Sequence, residues 1–216
     1  TLGTLAAEIA HEIRNPLMVV SLLFDSLQLD ENSDDNQKKD LSIIREKLGH
    51  LDQIAGRILD FGKSREAFRK NLPLRAILEE AALLVRLKLE QSQVTLTVNG
   101  EFPELLVFVD KGQIQQALLN LILNALVAMP NGGELTIEVV EPFDRKVSVL
   151  VKDTGQGIPQ EFKDRIFDSF LTARSDGTGL GLTISKRILR AHDGDLELLD
   201  SGPKGTVFRM TLPLAQ

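Results

Sequence analysis

The sequence predicts an α+β chain: a helical hairpin forming a dimeric four-helix bundle, followed by an α/β sandwich with a mixed sheet. Three observations lead there. Apolar residues recur at spacings of three and four through the first 70 positions. After "NLP" at 71–73, β-branched runs bounded by Gly, Pro and Asn begin to mix with helical patterns. The mixture lacks the strict strand–helix–strand alternation of a parallel sheet, so helices on one face of a mixed sheet fit better.

In the first helix, Leu2, Leu5, Ile9, Ile13, Pro16, Val20, Leu23 and Leu27 form one apolar stripe. "DENSDDNQ" at 30–37 breaks it with turn-formers and negative charge. In the second helix, Leu41, Ile44, Leu48, Leu51, Ala55 and Ile58 step 3, 4, 3, 4, 3, a heptad seam that asks for a packing partner. One hairpin leaves apolar faces uncovered, and two together close a four-helix bundle. Residues 1–70 are therefore expected to form a homodimer; a hairpin packed on its own downstream domain is the alternative. The apolar register is already running at Leu2 and Leu5, which reads as a piece of a longer protein.

Residues 71–216 make the second domain. A helix over about 74–91 leads into strands "VTLTV" (94–98) and "LLVFVD" (105–110). A long apolar helix from Gln113 to Met129 stops at Pro130-Asn131-Gly132-Gly133. Strands "ELTIEVV" and "KVSVLVKD", a glycine-punctuated region, a helix from Leu180 to Ala191, and strands "DLELLDS" and "GTVFRMTLP" complete the chain.

Composition removes several classes of function. With 43% hydrophobic and 26% charged residues, the chain has the balance of a soluble globular protein. A net charge of -6 argues against a nucleic-acid partner, which calls for a clustered basic surface. There is no Cys, so thiol catalysis, disulfides and Cys-based zinc sites are out. His11, His50 and His192 lie far apart, with no metal-binding pair among them. No apolar run reaches the ~18 to 20 residues of a membrane span, and no signal-peptide pattern opens the sequence. A cytoplasmic location is expected for this segment, a membrane anchor elsewhere in a longer protein staying open.

Four stretches carry chemistry. "AAEIAHEIRNPLMVV" (6–20) concentrates His11, Glu12, Arg14 and Asn15 in front of Pro16 on an otherwise apolar helix. "NLILNALVAMP" places Asn120 and Asn124 one turn apart on one helix face. Their carbonyl oxygens would suit a hard cation such as Mg²⁺ that shares its ligands with phosphates; bonding to neighbouring backbone is the plainer alternative. "VKDTGQGIP" (151–159) sets Asp153 at a strand end, where it can accept from an exocyclic amine such as adenine's, with Gly155 and Gly157 allowing a tight turn. "SDGTGLGL" (175–182) carries Gly177, Gly179 and Gly181 just before a helix, where free N–H groups make an anion site. It is neither the dinucleotide fingerprint nor a P-loop, and alone it is equally a flexible loop.

In this order the last three resemble the N, G1 and G2 boxes of the Bergerat-type ATP-binding domain, and "IFDSF" (166–170) resembles its F box. "HEIRNPL" (11–17) is similar to the H box of HisKA-type sensor histidine kinases, so the resemblance covers essentially the whole chain. It implies that residues 1–70 serve dimerisation and histidine phosphotransfer and 71–216 bind ATP with Mg²⁺. It implies autophosphorylation of His11, then transfer to an Asp of a response regulator receiver domain. A neutral imidazole is a competent nucleophile near neutral pH. Glu12 would act as general base, and Asn15 would position a water for dephosphorylating the regulator. Asn124 matches the Mg²⁺ ligand, and Asn120 precedes it in the same box. Asp153 matches the adenine reader, and Gly155 and Gly157 the turn beneath the base. Gly177, Thr178, Gly179, Leu180 and Gly181 match the phosphate-facing end, while Thr206 fits a late strand position near the base.

Two departures stand out: Leu126, Val127 and Ala128 follow Asn124 where many members carry a Lys or Arg, and "HDG" (192–194) replaces His-Gly-Gly. With "LTARSD" as the whole loop before Gly177, Arg174 is the natural cation for the terminal phosphate by charge and place, a solvated surface Arg being the alternative. Three other functions compete. A gyrase-like ATPase would need a transducer domain after the ATP site. A phosphatase-dominant member is allowed by Asn15. A non-catalytic regulatory scaffold is opposed by the intact boxes.

Overall fold

The computed structural model describes residues 67–100, 105–169, 171 and 179–215, together with 17, 18, 20, 21, 42–44, 48 and 49. The chain divides into two compact units, Thr1–Arg65 and Glu66–Gln216. In the first unit the described positions are all helical, as the three-and-four spacing requires. Ile44, a seam position, is 44% exposed in the single chain.

The second unit is a five-stranded sheet with helices packed on it. Strand β1 (Lys70–Pro73) leads into helix α1 (Leu74–Gln91), then β2 (Val94–Asn99) and β3 (Leu106–Val109). Helix α2 (Lys111–Ala128) precedes β4 (Gly133–Phe143) and β5 (Lys146–Asp153). A short helix α3 (Gln160–Lys163), helix α4 (Gly181–Ala191), β6 (Asp195–Gly202) and β7 (Gly205–Pro213) follow. The sheet order is β2-β4-β5-β7-β6, and β1 pairs separately with β3. Only β2 and β4 run parallel within the sheet, so it is mixed, as the irregular order of elements predicts.

The register explains which side is covered. Ile137, Val151 and Phe208 are direct neighbours across three strands, as are Val139, Val149 and Met210. All six are buried, and residues opposite one another share a face. The other face carries the ion pairs Lys152–Glu138 and Arg209–Glu197. Against the apolar face, α2 buries Ile114, Ala117, Leu118, Leu121, Ile122, Ala125 and Leu126. That is a broad stripe rather than a narrow one, because α2 contacts α1, α4 and the sheet at once. Fully burying each of its larger aliphatic side chains contributes roughly 1.5–3 kcal/mol.

Polar contacts fix the helix ends. Helix α2 starts two residues before the expected Gln113, because Asp110 caps it through Oδ1, which accepts from Gln113 N at 3.1 Å. Oδ2 of the same residue accepts from Phe68 N at 3.0 Å. His192, fully buried after α4, accepts from Asp110 N through Nε2 (3.1 Å) and meets the Ile188 carbonyl through Nδ1 (2.7 Å). Those two partners require the tautomer with its proton on Nδ1. Asp193 occupies the left-handed region (φ 58°), which glycine fills more readily, and its carboxylate accepts from Arg69 at 2.6 Å. The second departure from the family pattern thus sits in an ion pair that holds the entering chain.

Candidate nucleotide site

One row at the end of the sheet supplies the site's floor. Leu135, Asp153, Thr206 and Ser201 lie side by side on β4, β5, β7 and β6, all on the helix-covered face. Asp153 Oδ1 accepts two backbone bonds, from Gly155 N at 2.8 Å and Thr206 N at 3.2 Å. Its Oδ2 accepts none among the described residues, and no buried side-chain oxygen there goes unpaired, so Oδ2 faces accessible space. Burial raises the Asp153 carboxyl above its ordinary range, against the pull of the Gly155 and Thr206 N–H groups. The geometry is that of an acceptor braced on one oxygen and open on the other.

The turn after Asp153 is wedged between two elements. A Cβ on Gly155 would stand 2.7 Å from both the Cβ and the carbonyl oxygen of Ala128, so only glycine lets the turn lie against α2. Gln156 N donates to that same carbonyl at 3.1 Å. Gly157 adopts φ +75°, and a Cβ there would run into the Gly202 carbonyl on the other side.

Helix α2 acts as a spacer. Ala128 meets the glycine turn, whereas Asn120 Nδ2 donates to Gly181 O and Ser185 Oγ of α4, both at 3.2 Å. Eight residues of α-helix separate these contacts by about 12 Å, a span on the scale of a nucleotide. Asn124 lies between them, half-buried, and its amide makes no hydrogen bond among the described residues. The two asparagines therefore differ. Asn120 spends its amide nitrogen on the next helix, as the plainer reading had it, while Asn124 presents an unengaged amide.

At the far end Gly179 adopts φ +65° and Leu180 precedes α4 without a side-chain cap. The first-turn N–H groups have no intrahelical acceptor. Leu180 itself is fully buried, so its side chain anchors the start of the helix. Thr183 Oγ1 donates to Phe167 O at 2.9 Å, and the Lys186 ammonium lies 4.2 Å from the Phe167 ring centroid, which ties Phe167 of the F-box segment to α4. His11, Glu12, Asn15, Phe170, Arg174, Gly177 and Thr178 lie outside the described residues.

Two participants escaped the sequence reading. Ser201, buried, accepts from Ile158 N at 2.8 Å and lies 3.2 Å from Thr206 Oγ1. Gly205, at φ +123°, lets β7 begin where a Cβ would run into the Asp153 carbonyl. The Pro-Lys-Gly turn before Thr206 was the only sequence signal for either.

Comparison with known proteins gives consistent findings. Residues 109–216 match the family model of histidine kinase-, DNA gyrase B- and HSP90-like ATPases, and residues 1–67 match the His Kinase A (phospho-acceptor) domain. The signal transduction histidine-protein kinase AtoS of Escherichia coli is 30% identical over 99% of this chain and 35% of its own length. Sporulation kinase D of Bacillus subtilis is 37% identical over 99% of this chain and 42% of its own length. The chain thus spans less than half of either relative. Among solved structures, histidine kinase ThkA in complex with response regulator protein TrrA is 29% identical at a TM-score of 0.72, covering 99% of this chain and 62% of that one. Among the described residues, no helix is long and apolar enough to cross a membrane.

Proposed function

The chain belongs to the sensor histidine kinase family, and from that premise we propose that it binds ATP in residues 71–216 and transfers the γ-phosphoryl group to His11. A ring nitrogen of His11 bonds to the γ-phosphorus, the bond to the β–γ bridging oxygen breaks, and ADP leaves. Glu12 takes the proton from the other ring nitrogen. The phosphoryl group then passes to an Asp of a response regulator; the similarity to ThkA, solved with TrrA, supports that partner. Asn15 is assigned the orienting of a water that hydrolyses the regulator's aspartyl phosphate to aspartate and free phosphate. The exposure of Ile44, a heptad-seam position, in the single chain supports a homodimer.

The single observation that carries the nucleotide reading is the half-open carboxylate of Asp153. An oxygen fixed by two backbone bonds aims the other at a donor, which adenine offers in its exocyclic amine. Twelve ångströms along α2, roughly, the uncapped start of α4 suits phosphate oxygens, with Gly177 and Thr178 assigned to the same end and Arg174 to the terminal phosphate. Asn124, between the two ends with an amide that makes no hydrogen bond among the described residues, fits as an oxygen ligand to Mg²⁺, which usually takes one or two protein oxygens and completes its shell with phosphates and water. Bound there, the ion would neutralise phosphate charge.

Incubation with γ-labelled ATP tests the reaction. The expected product carries label that is lost in acid and kept in base, and His11→Ala abolishes it while leaving ATP affinity unchanged. Acid-stable label, or labelling of His11→Ala at the wild-type rate, would refute the assignment.

A further inference from the structure

Helix α1 keeps an apolar side that faces away from the core. Its inward face buries Leu74, Ile77, Leu78, Ala81, Val85 and Leu89 against α2 and β2. On the opposite side Leu83, Leu84 and Leu87 are 68%, 66% and 65% exposed in the single chain. Surface leucines scattered singly are ordinary, but three within five residues form a contiguous patch of the kind that marks an interaction surface. Glu80, beside them, accepts from Lys111 at 2.7 Å and Gln115 at 3.0 Å, so its charge is answered from α2.

The charges along one edge of the patch show what fits it. Arg75, Glu79, Arg86 and Glu90 follow at steps of 4, 7 and 4, and so line one side of the helix. They form two i,i+4 pairs at 3.9 Å, the outer limit of contact, and all four side chains are more than half exposed. From the N-terminus the edge runs plus, minus, plus, minus; backwards it runs minus, plus, minus, plus. Arg75 and Glu90 are equally distant from the midpoint between Ala82 and Leu83, and so are Glu79 and Arg86. A copy of the helix laid antiparallel about that midpoint sets every charge of the edge against its opposite. A parallel copy sets each against its like.

We propose that α1 is a self-recognition surface: the α1 helices of two copies of this chain pack antiparallel on Leu83, Leu84 and Leu87, with Arg75 facing the partner's Glu90 and Glu79 facing the partner's Arg86. A foreign helix would demand no such symmetry of α1, whereas a twofold contact does, because the same patch serves both sides. The leucines supply the attraction, and the exposed ion pairs, individually weak, supply the orientation. One helix face falls well short of the roughly 1,200–2,000 Å² of a free-standing interface. The contact therefore acts between copies already joined, where tethering gives a millimolar effective concentration, and in this it rests on the proposed dimer of residues 1–70.

The sequence has no cysteine, so one introduced thiol reports one position. Helix axes about 8–10 Å apart bring facing residues within disulfide reach. Leu83→Cys in the full chain, oxidised at micromolar concentration, is expected to form an intermolecular disulfide at least about tenfold faster than Phe143→Cys, a more exposed position on β4. Adding Glu79→Lys or Arg86→Glu should slow the cross-link about three- to tenfold, since the twofold turns two attractions into repulsions. The two reversals together should restore it, whereas a merely structural effect on the helix would accumulate in the double variant. Equal rates at positions 83 and 143, or no rescue by the double reversal, overturns the proposal. A Leu83→Cys thiol shielded from alkylation without cross-linking overturns it too, by showing a different occupant. If light scattering gives a monomer while Leu83→Cys still cross-links, the dimer of residues 1–70 falls and this contact stands; a dimer without the cross-link means the reverse.

Discussion

Replacing Asp153 by Asn separates recognition from folding. The two backbone bonds land on one oxygen, at 2.8 and 3.2 Å, and an amide oxygen can accept both. The amide nitrogen then occupies the place of Oδ2 and presents a donor to the donor it should receive. The variant loses a charge-assisted hydrogen bond worth about 1.5–3 kcal/mol, which is roughly a ten- to hundredfold weaker Kd for ATP and ADP alike. Its thermal stability stays at or above that of the wild type, since a half-buried charge has been removed. Asp153→Ala loses the same affinity but leaves two N–H groups without their acceptor, so it should also unfold more readily, by about 1–3 kcal/mol for each group that water does not reach. The pH dependence has a definite sign. Burial raises the folded-state carboxyl above its ordinary range, so the fold holds more proton than the unfolded chain in that window. The stability this group contributes is fully present below its ordinary value and is lost as pH rises through the raised one. Affinity for ATP runs the other way, growing as the carboxylate forms. Calorimetry and thermal unfolding from acid to neutral pH measure both. Asp153→Asn that binds ATP like the wild type, or that is as unstable as Asp153→Ala, would refute the reasoning.

Asn124→Ala should leave nucleotide binding in EDTA nearly unchanged and weaken it when Mg²⁺ is present; a defect of equal size in both buffers would make the residue structural. Gly157→Ala, forced to φ +75° with its methyl against the Gly202 carbonyl, should cost about 2–4 kcal/mol of stability in denaturant unfolding. A loss below ~0.5 kcal/mol, the level of an ordinary surface substitution, would mean that the turn is not held there. The chain should run as a dimer by light scattering at micromolar concentration, and a monomeric mass would sink the heptad reasoning.

Most of the second unit is legible because its elements are long and patterned. Helix α1 begins and ends at the residues its periodicity marks, Leu74 and Gln91, and β5 and β7 match their alternating runs. Strand β1 is too short, at four residues, for a period of two to show, and it exists because β3 offers an edge to pair with. Helix α2 starts two residues early because Asp110, read as the end of a strand, is also a cap. Ser201 was hidden for a sharper reason. A register shift between Leu198 and Asp200 interrupts β6, so counting alternate residues from Leu196 places Ser201 on the wrong side. The irregularity rotates it inward to face Thr206. The division of labour between Asn120 and Asn124 was equally invisible, because it depends on where α4 lies and not on the spacing along α2.

That division has a genetic consequence. A lesion at Asn120 breaks a joint between two helices, and Ser185 already contacts the same Gly181 carbonyl at 2.9 Å and the Ala117 carbonyl at 3.3 Å. Selection starting from Asn120→Ala can therefore be answered from the facing helix, by second-site revertants that restore the joint with another donor. A lesion at Asn124 removes a group with no hydrogen-bond partner among the described residues, so no described side chain across the way can stand in for it. In a suppressor screen the first position should yield compensating changes on α4, and the second only true reversion.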